Sequence, residues 1–309
     1  MTELLRLHKA LADETRLRIV RILLSHELSV GELVAALSMG QSRISRHLKI
    51  LMEAGLVECR REGQWAFCRA VRSGAAGAGG ARRFLDCCAA LMDGDDEPWR
   101  GDLARAAGVL RERAAATRRF FDGVAGRWQG FTDEALGGFD LHGEIAARVP
   151  DGAAVADLGC GPGELLLRLA GKACLLVGVD SAPRMLEQAA QKLSGVSGVS
   201  LRLGDLAHLP LREGEVQVAV FSLVLHHLPD PVAALMEARR VLAPGGLVLV
   251  ADFDRHDKEE LREHPGARLG IDRQTLSDWL AQAGFAPGGV SARGVGKGLT
   301  LLLAEASNT

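Results

Sequence analysis

The sequence predicts an α/β protein of two domains: a small N-terminal domain of short helices followed by a β-hairpin, and a larger C-terminal domain on a doubly wound sheet. Three observations predict this fold class. The 309 residues are long for a single core. Leucine and isoleucine recur at helical spacing up to about residue 54. From Ala153 onward, short apolar strands alternate with helical stretches.

The N-terminal pattern predicts four short helices and then a hairpin that turns at Glu62-Gly63. The helices lie at 3–11, 15–25, 29–37 and 41–54, and the hairpin at 56–69. This order of elements is typical of a winged helix-turn-helix domain.

The segment after the hairpin predicts a hinge and two further helices. A Gly, Ala and Ser stretch at 73–80 has little to bury. The helices at 81–92 and 99–122, separated by the acidic residues 93–98, are expected to form a dimerisation helix and a connector. The expected division is a DNA-binding and dimerisation domain at 1–95, a connector at 96–126 and a C-terminal domain at 127–309.

The C-terminal pattern predicts parallel strands joined by crossover helices, and so an open sheet with helices on both faces. The predicted strands lie at 154–158, 175–179, 200–203, 216–222 and 247–252. Two late segments, 288–293 and 299–305, have no helix between them. We expect them to pair as an antiparallel hairpin at the sheet edge.

Composition narrows the class of protein. Hydrophobic residues make up 48% and charged residues 25% of the chain, a balance that excludes a disordered protein. No apolar run approaches the roughly 20 residues of a membrane span, and charges are mixed with leucines from Met1 to Lys9. We therefore expect a cytoplasmic protein without a membrane partner. Its six cysteines show no disulfide-rich spacing and are expected to remain thiols.

Charge is distributed unevenly although the net charge is only −2. The first 83 residues carry 14 Lys and Arg against 8 Asp and Glu, and the remainder is acidic. A basic front segment favours binding to a polyanion, although a merely soluble surface can have the same balance.

The helix at 41–54 is the predicted DNA-binding element. Ile44, Leu48 and Leu51 recur at i, i+4 and i+7 and should face the core, so small hydroxyls and long cations share the opposite face. Such a face suits the major groove and its phosphates, and a solvated amphipathic helix is the alternative. The candidate DNA-binding residues of this helix are Gln41, Ser42, Arg43, Ser45, Arg46, His47 and Lys49.

Residues 8–71 resemble the ArsR/SmtB family of bacterial winged-helix repressors. The resemblance lies in LADETRLRI at 11–19, QS at 41–42 with SRHLK at 45–49, AGLV at 54–57 and RREGQW at 60–65. It implies a homodimer that binds double-stranded DNA at a palindromic operator. It also places Arg60, Arg61 and Gln64 of the wing on the DNA.

The resemblance breaks at the metal-binding residues of that family. Ser29 and Gly31 stand where the arsenic sensors carry cysteines, so no soft ligand is present and no metal is expected. Cys87 and Cys88 are adjacent on a predicted helix and point about 100° apart, which is awkward for a joint metal site. We expect buried or interface thiols there, with a metal or redox role as the alternative.

A glycine-rich turn follows the first C-terminal strand. Glycines at Gly159, Gly161 and Gly163 let a ligand approach the backbone, and Cys160 lies among them. Glu164 occupies the position of the third glycine of dinucleotide folds, where an anion disfavours pyrophosphate. A ligand that carries a sulfonium and an amino acid group fits better, and Asp157 could receive its ammonium.

Two further acids close the next strands. Asp180 ends the second strand, where a carboxylate can accept both ribose hydroxyls. Asp205, between Gly204 and Leu206, ends the third strand and could bind the adenine amino group while Leu206 packs on the ring. Each aspartate alone could be a loop cap, but three at successive strand ends predict one site.

With these residues the chain resembles class I S-adenosylmethionine-dependent methyltransferases of Rossmann-like fold, in the ubiquinone/menaquinone-biosynthesis branch. Further matches are FFDGVA at 120–125, LHHLPDP at 225–231, RVLAPGG at 240–246 and WLAQAGF at 279–285. The resemblance implies that Phe121 covers the ligand and that 222–225 line it. The complete candidate set for S-adenosylmethionine or S-adenosylhomocysteine is Phe121, Asp157, Gly159, Cys160, Gly161, Gly163, Asp180, Ser181, Gly204, Asp205, Leu206, Ser222 and Leu223.

Two functions follow as hypotheses. The fused architecture resembles regulators of the methionine cycle that sense S-adenosylhomocysteine, which predicts a repressor with that nucleoside or S-adenosylmethionine as effector. The alternative is an active small-molecule methyltransferase that controls its own operon. Acceptor deprotonation could then fall to His226, His227, Asp252 or His256, although turn packing explains the histidine pair equally simply. Arsenite is not expected as the acceptor, since no cluster of cysteines is present.

Overall fold

The computed structural model describes residues 2–62, 65–71, 79–92, 99–262, 264, 267–286 and 288–309. The chain divides into two compact units, Met1–Arg113 and Ala114–Thr309. The predicted α/β class is confirmed. The boundary between the two units lies inside a single helix, which belongs to the predicted connector. The domain limits predicted at residues 95 and 126 remain predictions. None of the described helices has the length and apolar character that a membrane span requires.

The first unit consists of helices around a small antiparallel sheet. Its helices are α1 (Glu3–Leu11), α2 (Glu14–Ser25), α3 (Val30–Leu37), α4 (Gln41–Glu53), α5 (Gly79–Met92) and the start of α6 (Trp99–Val124). Its strands are β1 (Leu28–Ser29), β2 (Val57–Glu62) and β3 (Trp65–Ala70), in the order β1-β3-β2. Strand β1 was not predicted, because two residues show no alternation. Of the hinge expected at 73–80, residues 79 and 80 instead begin α5, and the remainder lies outside the described residues, as does the acidic break at 93–98.

Side-chain caps fix where the helices of this unit begin. The Asp13 carboxylate accepts from the Arg16 amide at 3.1 Å and starts α2. The Ser29 hydroxyl accepts from the Glu32 amide, and Glu32 accepts from the Ser29 amide, which is a capping box at α3. Ile44, Leu48 and Leu51 of α4 are buried as predicted, so the opposite face of that helix is directed away from the core.

The cysteine prediction is wrong for one pair. Cys59 on β2 and Cys68 on β3 are partners in the strand register and are joined by a disulfide. The prediction of free thiols was based on the overall cysteine spacing and the expected compartment. Neither shows that strand pairing in the hairpin places these two sulfur atoms next to each other. Cys87 is exposed and Cys88 half-buried, and both are free.

The second unit is built on a seven-stranded sheet. Its strands are β4 (Ala154–Leu158), β5 (Leu175–Asp180), β6 (Val199–Leu203), β7 (Val216–Ser222), β8 (Leu242–Phe253), β9 (Val290–Gly294) and β10 (Thr300–Ser307). Its remaining helices are α7 (Trp128–Leu136), α8 (Leu141–Ala146), α9 (Glu164–Leu169), α10 (Pro183–Lys192), α11 (Pro231–Val241) and α12 (Arg273–Gln282).

The strand order is β6-β5-β4-β7-β8-β10-β9. The strands from β6 to β8 are parallel, and β10 is antiparallel to both β8 and β9, so the predicted terminal hairpin at the sheet edge is confirmed. The chain moves from β4 outward to β6 and then returns to β7 on the other side of β4. This reversal opens a crevice at the carboxyl ends of β4 and β7, where ligands bind in folds of this type.

Both faces of this sheet are covered. In β7, Ala219 and Phe221 belong to one buried cluster with Leu235 and Trp279, while Val218 and Val220 belong to another. Because neighbouring strand residues point to opposite faces, both sets of side chains are withdrawn from water. The core therefore fixes the strand ends that carry the candidate site.

Candidate functional site

The glycine turn after β4 has a backbone that only glycine adopts easily. Gly159, Gly161 and Gly163 have φ angles of +84°, +49° and +84°. A Cβ at Gly159 would lie 2.6 Å from a methyl group of Val224. At Gly161 the nearest atom to such a Cβ is Trp128 Cδ1, at 3.8 Å. The turn is therefore packed closely at Gly159, and at Gly161 it faces the Trp128 ring at the distance of an ordinary contact.

Asp157 is a buried carboxylate next to this turn. It is 2% exposed, and its Oδ1 has no hydrogen-bond partner among the described residues. Burial, together with the nearby carboxylates of Asp180 and Glu164, raises its pKa to about 8. Lys192 forms an ion pair with Glu164. An unpartnered buried carboxylate favours a cationic ligand or a proton.

Asp180 ties the end of β5 to the glycine turn. Its Oδ2 accepts from the Gly161 amide at 2.9 Å and its Oδ1 from the Ala182 amide at 2.8 Å. Burial raises the pKa of this carboxyl, and those two backbone donors act in the opposite direction. Each oxygen can accept a further hydrogen bond, and the half-buried Ser181 lies beside it.

The third acid differs from the first two in exposure. Asp205 is exposed, and its carboxylate accepts from the Ala207 amide at 2.8 Å, while Leu206 is buried. A Cβ at Gly204 would lie 2.6 Å from Pro210. Since β4, β5 and β6 are adjacent parallel strands, the structure brings the three acids to one sheet edge.

Cys160 contributes both its backbone and its thiol to the turn. Its side chain is buried with Leu165 and Leu166, its amide donates to the Val179 carbonyl at 3.0 Å, and its thiol donates to the Gly161 carbonyl at 3.7 Å. Burial, followed by the carboxylate of Asp157, raises the pKa of this thiol well above its usual value. The thiol is therefore a buried, protonated donor.

The end of β7 contains the second unusual backbone of the site. Ser222 is half-buried, and Leu223 has a φ of +56°, which branched residues rarely adopt. The Leu223 amide donates to the Ala251 carbonyl at 2.8 Å. This left-handed residue turns the chain away from the sheet directly beside the crevice between β4 and β7.

Aromatic side chains gather around Phe121, on the last turns of α6. Its ring centre lies 5.1 Å from that of Trp128 and 4.8 Å from that of His227. Phe120 and His264 lie 5.3 Å and 6.0 Å away. Trp128 and His264 were missed in the sequence, because a single aromatic residue in a helix or loop has the same pattern as a core residue.

His226 is held by a buried carboxylate. Its Nδ1 lies 2.5 Å from Asp252 Oδ1, and its amide donates to Asp252 Oδ2 at 3.2 Å. Asp252 is 0% exposed. The rings of His226 and His227 are 3.8 Å apart. His256 is engaged elsewhere, accepting from the Lys258 amide at 3.3 Å.

Within the described ranges, no group of three or more His, Cys, Asp or Glu side chains is arranged to hold a metal ion. Position 31 has no side chain, and Ser29 caps α3. The free cysteines are dispersed over α5, the glycine turn and the start of β5.

The predicted DNA-binding face of α4 is exposed. Gln41, Ser42, Ser45, Arg46 and Lys49 all face solvent. Arg43 also donates to the Thr15 hydroxyl at 3.1 Å. His47 instead lies against Asp13, with 3.7 Å between Nδ1 and Oδ1, and burial lowers its pKa. The imidazole is thus neutral near pH 7 and adds no charge to this face.

Of the two wing arginines predicted to contact DNA, one is exposed and the other is engaged within the protein. Arg61 is exposed, whereas Arg60 forms a two-point ion pair with Glu27, with both N–O distances at 3.0 Å. Sequence alone does not show this pair, since Glu27 is 33 residues away. Gln64 lies outside the described residues.

Comparison with protein families gives two matches. The family model described as bacterial regulatory protein, arsR family, matches residues 13–58, and the methyltransferase domain model matches residues 156–250. The first match contains α4 and the second begins just before Asp157.

Individual relatives cover one part of the chain each. The transcriptional activator HlyU of Vibrio cholerae is 51% identical over 59 residues, covering 19% of this chain and 55% of that protein. An arsenite methyltransferase of Aquipseudomonas alcaligenes is 36% identical over 135 residues, covering 39% of each. The chain spans between 31% and 60% of the length of such curated relatives.

A solved structure supports the fold of the second unit. A SAM-dependent methyltransferase of Thermotoga maritima superimposes with a TM-score of 0.50 at 22% identity, covering 62% of this chain and 99% of that structure. At this identity the likeness shows the fold alone. The two family matches show an ArsR-family helix-turn-helix segment at residues 13–58 and a methyltransferase domain segment at residues 156–250 in one chain.

Proposed function

We propose that the protein is a DNA-binding transcriptional repressor whose methyltransferase-like domain takes up S-adenosylmethionine or S-adenosylhomocysteine as its effector. One observation carries the proposal: a buried carboxylate, Asp157, has an oxygen without a partner among the described residues next to the glycine turn, in a chain that also exposes the helix α4. We further propose that it acts as a cytoplasmic homodimer.

The residues present fit the nucleoside. Asp157 would accept its ammonium, directly or through water, and Asp180 has lone pairs left for the ribose hydroxyls. Asp205 would bind the adenine amino group, with Leu206 against the ring. The glycine turn, where Gly161 has no side chain and faces Trp128, would lie against the amino acid portion. When bound, S-adenosylmethionine supplies an electrophilic methyl group, and its demethylated product does not.

The exposed face of α4 supports the DNA-binding part of the proposal. Arg46 and Lys49 share it with Ser42 and Ser45, so cations for phosphates lie beside small groups that can approach bases closely. Arg61 would add a wing contact. Because Arg60 already pairs with Glu27, its contact would require the arginine to leave or share that carboxylate.

Helix α6 supports a connection between the two activities. Its early residue Asp102 is 1% exposed and pairs with Arg18 of α2. Arg105, one turn later, donates to the Ala36 carbonyl of α3 at 2.7 Å. The same continuous helix later carries Phe121 beside the candidate nucleoside site. Ligand binding could thereby act on the position of the recognition helix.

The test is operator affinity with and without each nucleoside. An operator is first selected from a random-sequence duplex pool with the full-length protein. Its affinity is then measured with S-adenosylmethionine, with S-adenosylhomocysteine and with neither. We expect at least one nucleoside to change the affinity in the wild type but not in Asp157→Asn. Unchanged affinity with both would contradict the effector role.

The His226–Asp252 pair favours a second function, an active small-molecule methyltransferase. A buried carboxylate bonded to Nδ1 fixes the tautomer and orientation of an imidazole, as a proton acceptor requires. Arsenite remains a disfavoured acceptor, since Cys160 packs into the core and Cys174 is the one other free cysteine among the described residues of the second unit. Labelled cofactor incubated with cell extract distinguishes the two functions, because a pure sensor transfers no methyl group.

A further inference from the structure

The disulfide between Cys59 and Cys68 lies in the wing. Cys68 is 0% exposed within the core of the first unit, and Cys59 is half-buried against that core. The bond joins two residues that are nine positions apart, one on each strand of the hairpin. It is the one covalent link between strands among the described residues.

The residues that flank the bond are the wing's charged groups. In the strand register, Arg60 pairs with Phe67 on one side of the cysteines and Glu58 with Arg69 on the other. The Arg60 guanidinium lies 5.2 Å from the Phe67 ring centre, and Arg69 bonds Glu58 at 2.6 Å. By strand alternation these groups lie on the face opposite the sulfurs. The disulfide therefore holds together the two strands that present the wing cations.

We propose that Cys59–Cys68 is a redox-active pair, reduced by a dithiol and re-formed by peroxide, whose oxidation state sets the affinity of the wing for DNA. The inference goes beyond the effector role and rests only on the DNA-binding part of the proposed function. The oxidised form is the tighter binder. A closed loop leaves the hairpin fewer conformations, so less entropy is lost when the wing meets the duplex.

The chemistry balances without any group from the second unit. A thiolate of the dithiol attacks the Cys59 sulfur, the more accessible of the two, and releases Cys68, which takes up a proton. The second thiol of the reductant then displaces Cys59, so two electrons and two protons reach the protein and the reductant becomes a disulfide. In the reverse direction, hydrogen peroxide oxidises one thiol to sulfenic acid, and the other thiol displaces water to restore the bond.

The first measurement counts thiols in the full-length protein. Alkylation under denaturing conditions, followed by mass spectrometry, should find four free cysteines after peroxide treatment and six after dithiothreitol. Six free thiols in the peroxide-treated protein would overturn the inference, because no bond would then exist to switch.

The second measurement is affinity for a duplex selected with the oxidised protein. We expect reduction to weaken binding by roughly three- to tenfold. Cys59→Ser should bind at the reduced level and ignore both reagents, while Cys174→Ser, at an exposed free cysteine of the other unit, should respond like the wild type. Circular dichroism establishes that Cys59→Ser is folded, and Cys59→Ala serves as the second variant.

The outcomes separate this inference from the proposed function. Equal affinity in both oxidation states, with four and six thiols counted, would overturn the redox role and leave the regulator intact. If neither oxidation state bound any duplex, both the redox inference and the proposed function would be overturned. A redox response that persists in Cys59→Ser and Cys59→Ala would assign it to other cysteines and contradict the inference.

Discussion

Two charged sites of the molecule differ in their exposure to solvent. One is the exposed face of α4, and the other is the carboxylate cradle, formed by Asp157 and Asp180 at the ends of β4 and β5. Lys49 keeps 79% of its side chain in solvent, whereas Asp157 is 2% exposed. Charges in water attract a polyanion over a distance and are weakened by salt. A buried carboxylate has a raised pKa and holds a proton, which a cationic ligand must displace. The two sites should therefore respond to different solution conditions.

The largest expected effect tests how tightly the cradle is packed. Gly159→Ala should destabilise the second unit by about 3 kcal/mol, because the new methyl group meets Val224 and the residue must keep a positive φ. Gly40→Ala, before α4, meets nothing within 4 Å and should cost less than about 1 kcal/mol. Urea unfolding followed by tryptophan fluorescence measures both, and equal losses would contradict the difference in packing.

The next effect concerns the charge of the cradle. Asp157→Asn should weaken nucleoside binding by about 100-fold, since the ammonium loses a charged acceptor in a buried setting. Asp205→Asn removes an exposed carboxylate and should weaken it by about tenfold or less. Isothermal titration calorimetry on the full-length chain compares the two. A smaller loss for Asp157→Asn than for Asp205→Asn would show that the buried acid does not hold the ammonium.

The pH dependence of ligand binding follows from the same carboxylate. Its pKa in the ligand-free protein is raised to about 8, so below that pH the ammonium must displace a proton. Affinity should fall about tenfold per unit as pH drops from 8 to 6, with one proton released per ligand. Calorimetry in buffers of different ionisation enthalpy counts that proton. Asp157→Asn should remove the dependence, and a flat wild-type profile would exclude proton exchange at this residue.

The stability of the ligand-free protein should change in the opposite direction with pH. The native state holds the Asp157 proton up to about pH 8, whereas the unfolded chain releases it near 3.8. Between these values the native state binds more protons, so this group's contribution makes the free energy of unfolding decrease as pH rises. Asp180, whose pKa is raised by burial, contributes in the same direction. Urea unfolding of wild type and Asp157→Asn across that range isolates the Asp157 contribution.

The smallest effect concerns the DNA-binding face. Lys49→Ala should reduce DNA affinity several-fold and lower the slope of log affinity against log salt by about 1, as expected when one phosphate contact is lost. Arg212→Ala, at an exposed cation of the second unit, should leave both unchanged. Salt titrations by fluorescence anisotropy measure the slope. An unchanged slope in Lys49→Ala would remove this residue from the phosphate contacts.

Sequence pattern predicted the parts of the molecule that repeat with a period. The alternation of strands and helices after Ala153 and the spacing of Ile44, Leu48 and Leu51 are such signals. Contacts between positions that are distant in the sequence leave no such periodic signal. The pairing of Arg60 with Glu27 and the position of His47 on Asp13 depend on how elements meet in space. Trp128 and His264 at the aromatic cluster escaped prediction for the same reason.

The place of β10 in the sheet determines when the second unit can be completed during synthesis. Strand β9 lies at the edge and pairs only with β10, and β10 is also the partner of β8. Neither contact can form until Thr300–Ser307 has left the ribosome. The first unit is complete at Arg113 and depends on nearer neighbours in the chain. The first unit, which contains α4, can therefore fold during synthesis while the sheet of the second unit is still incomplete.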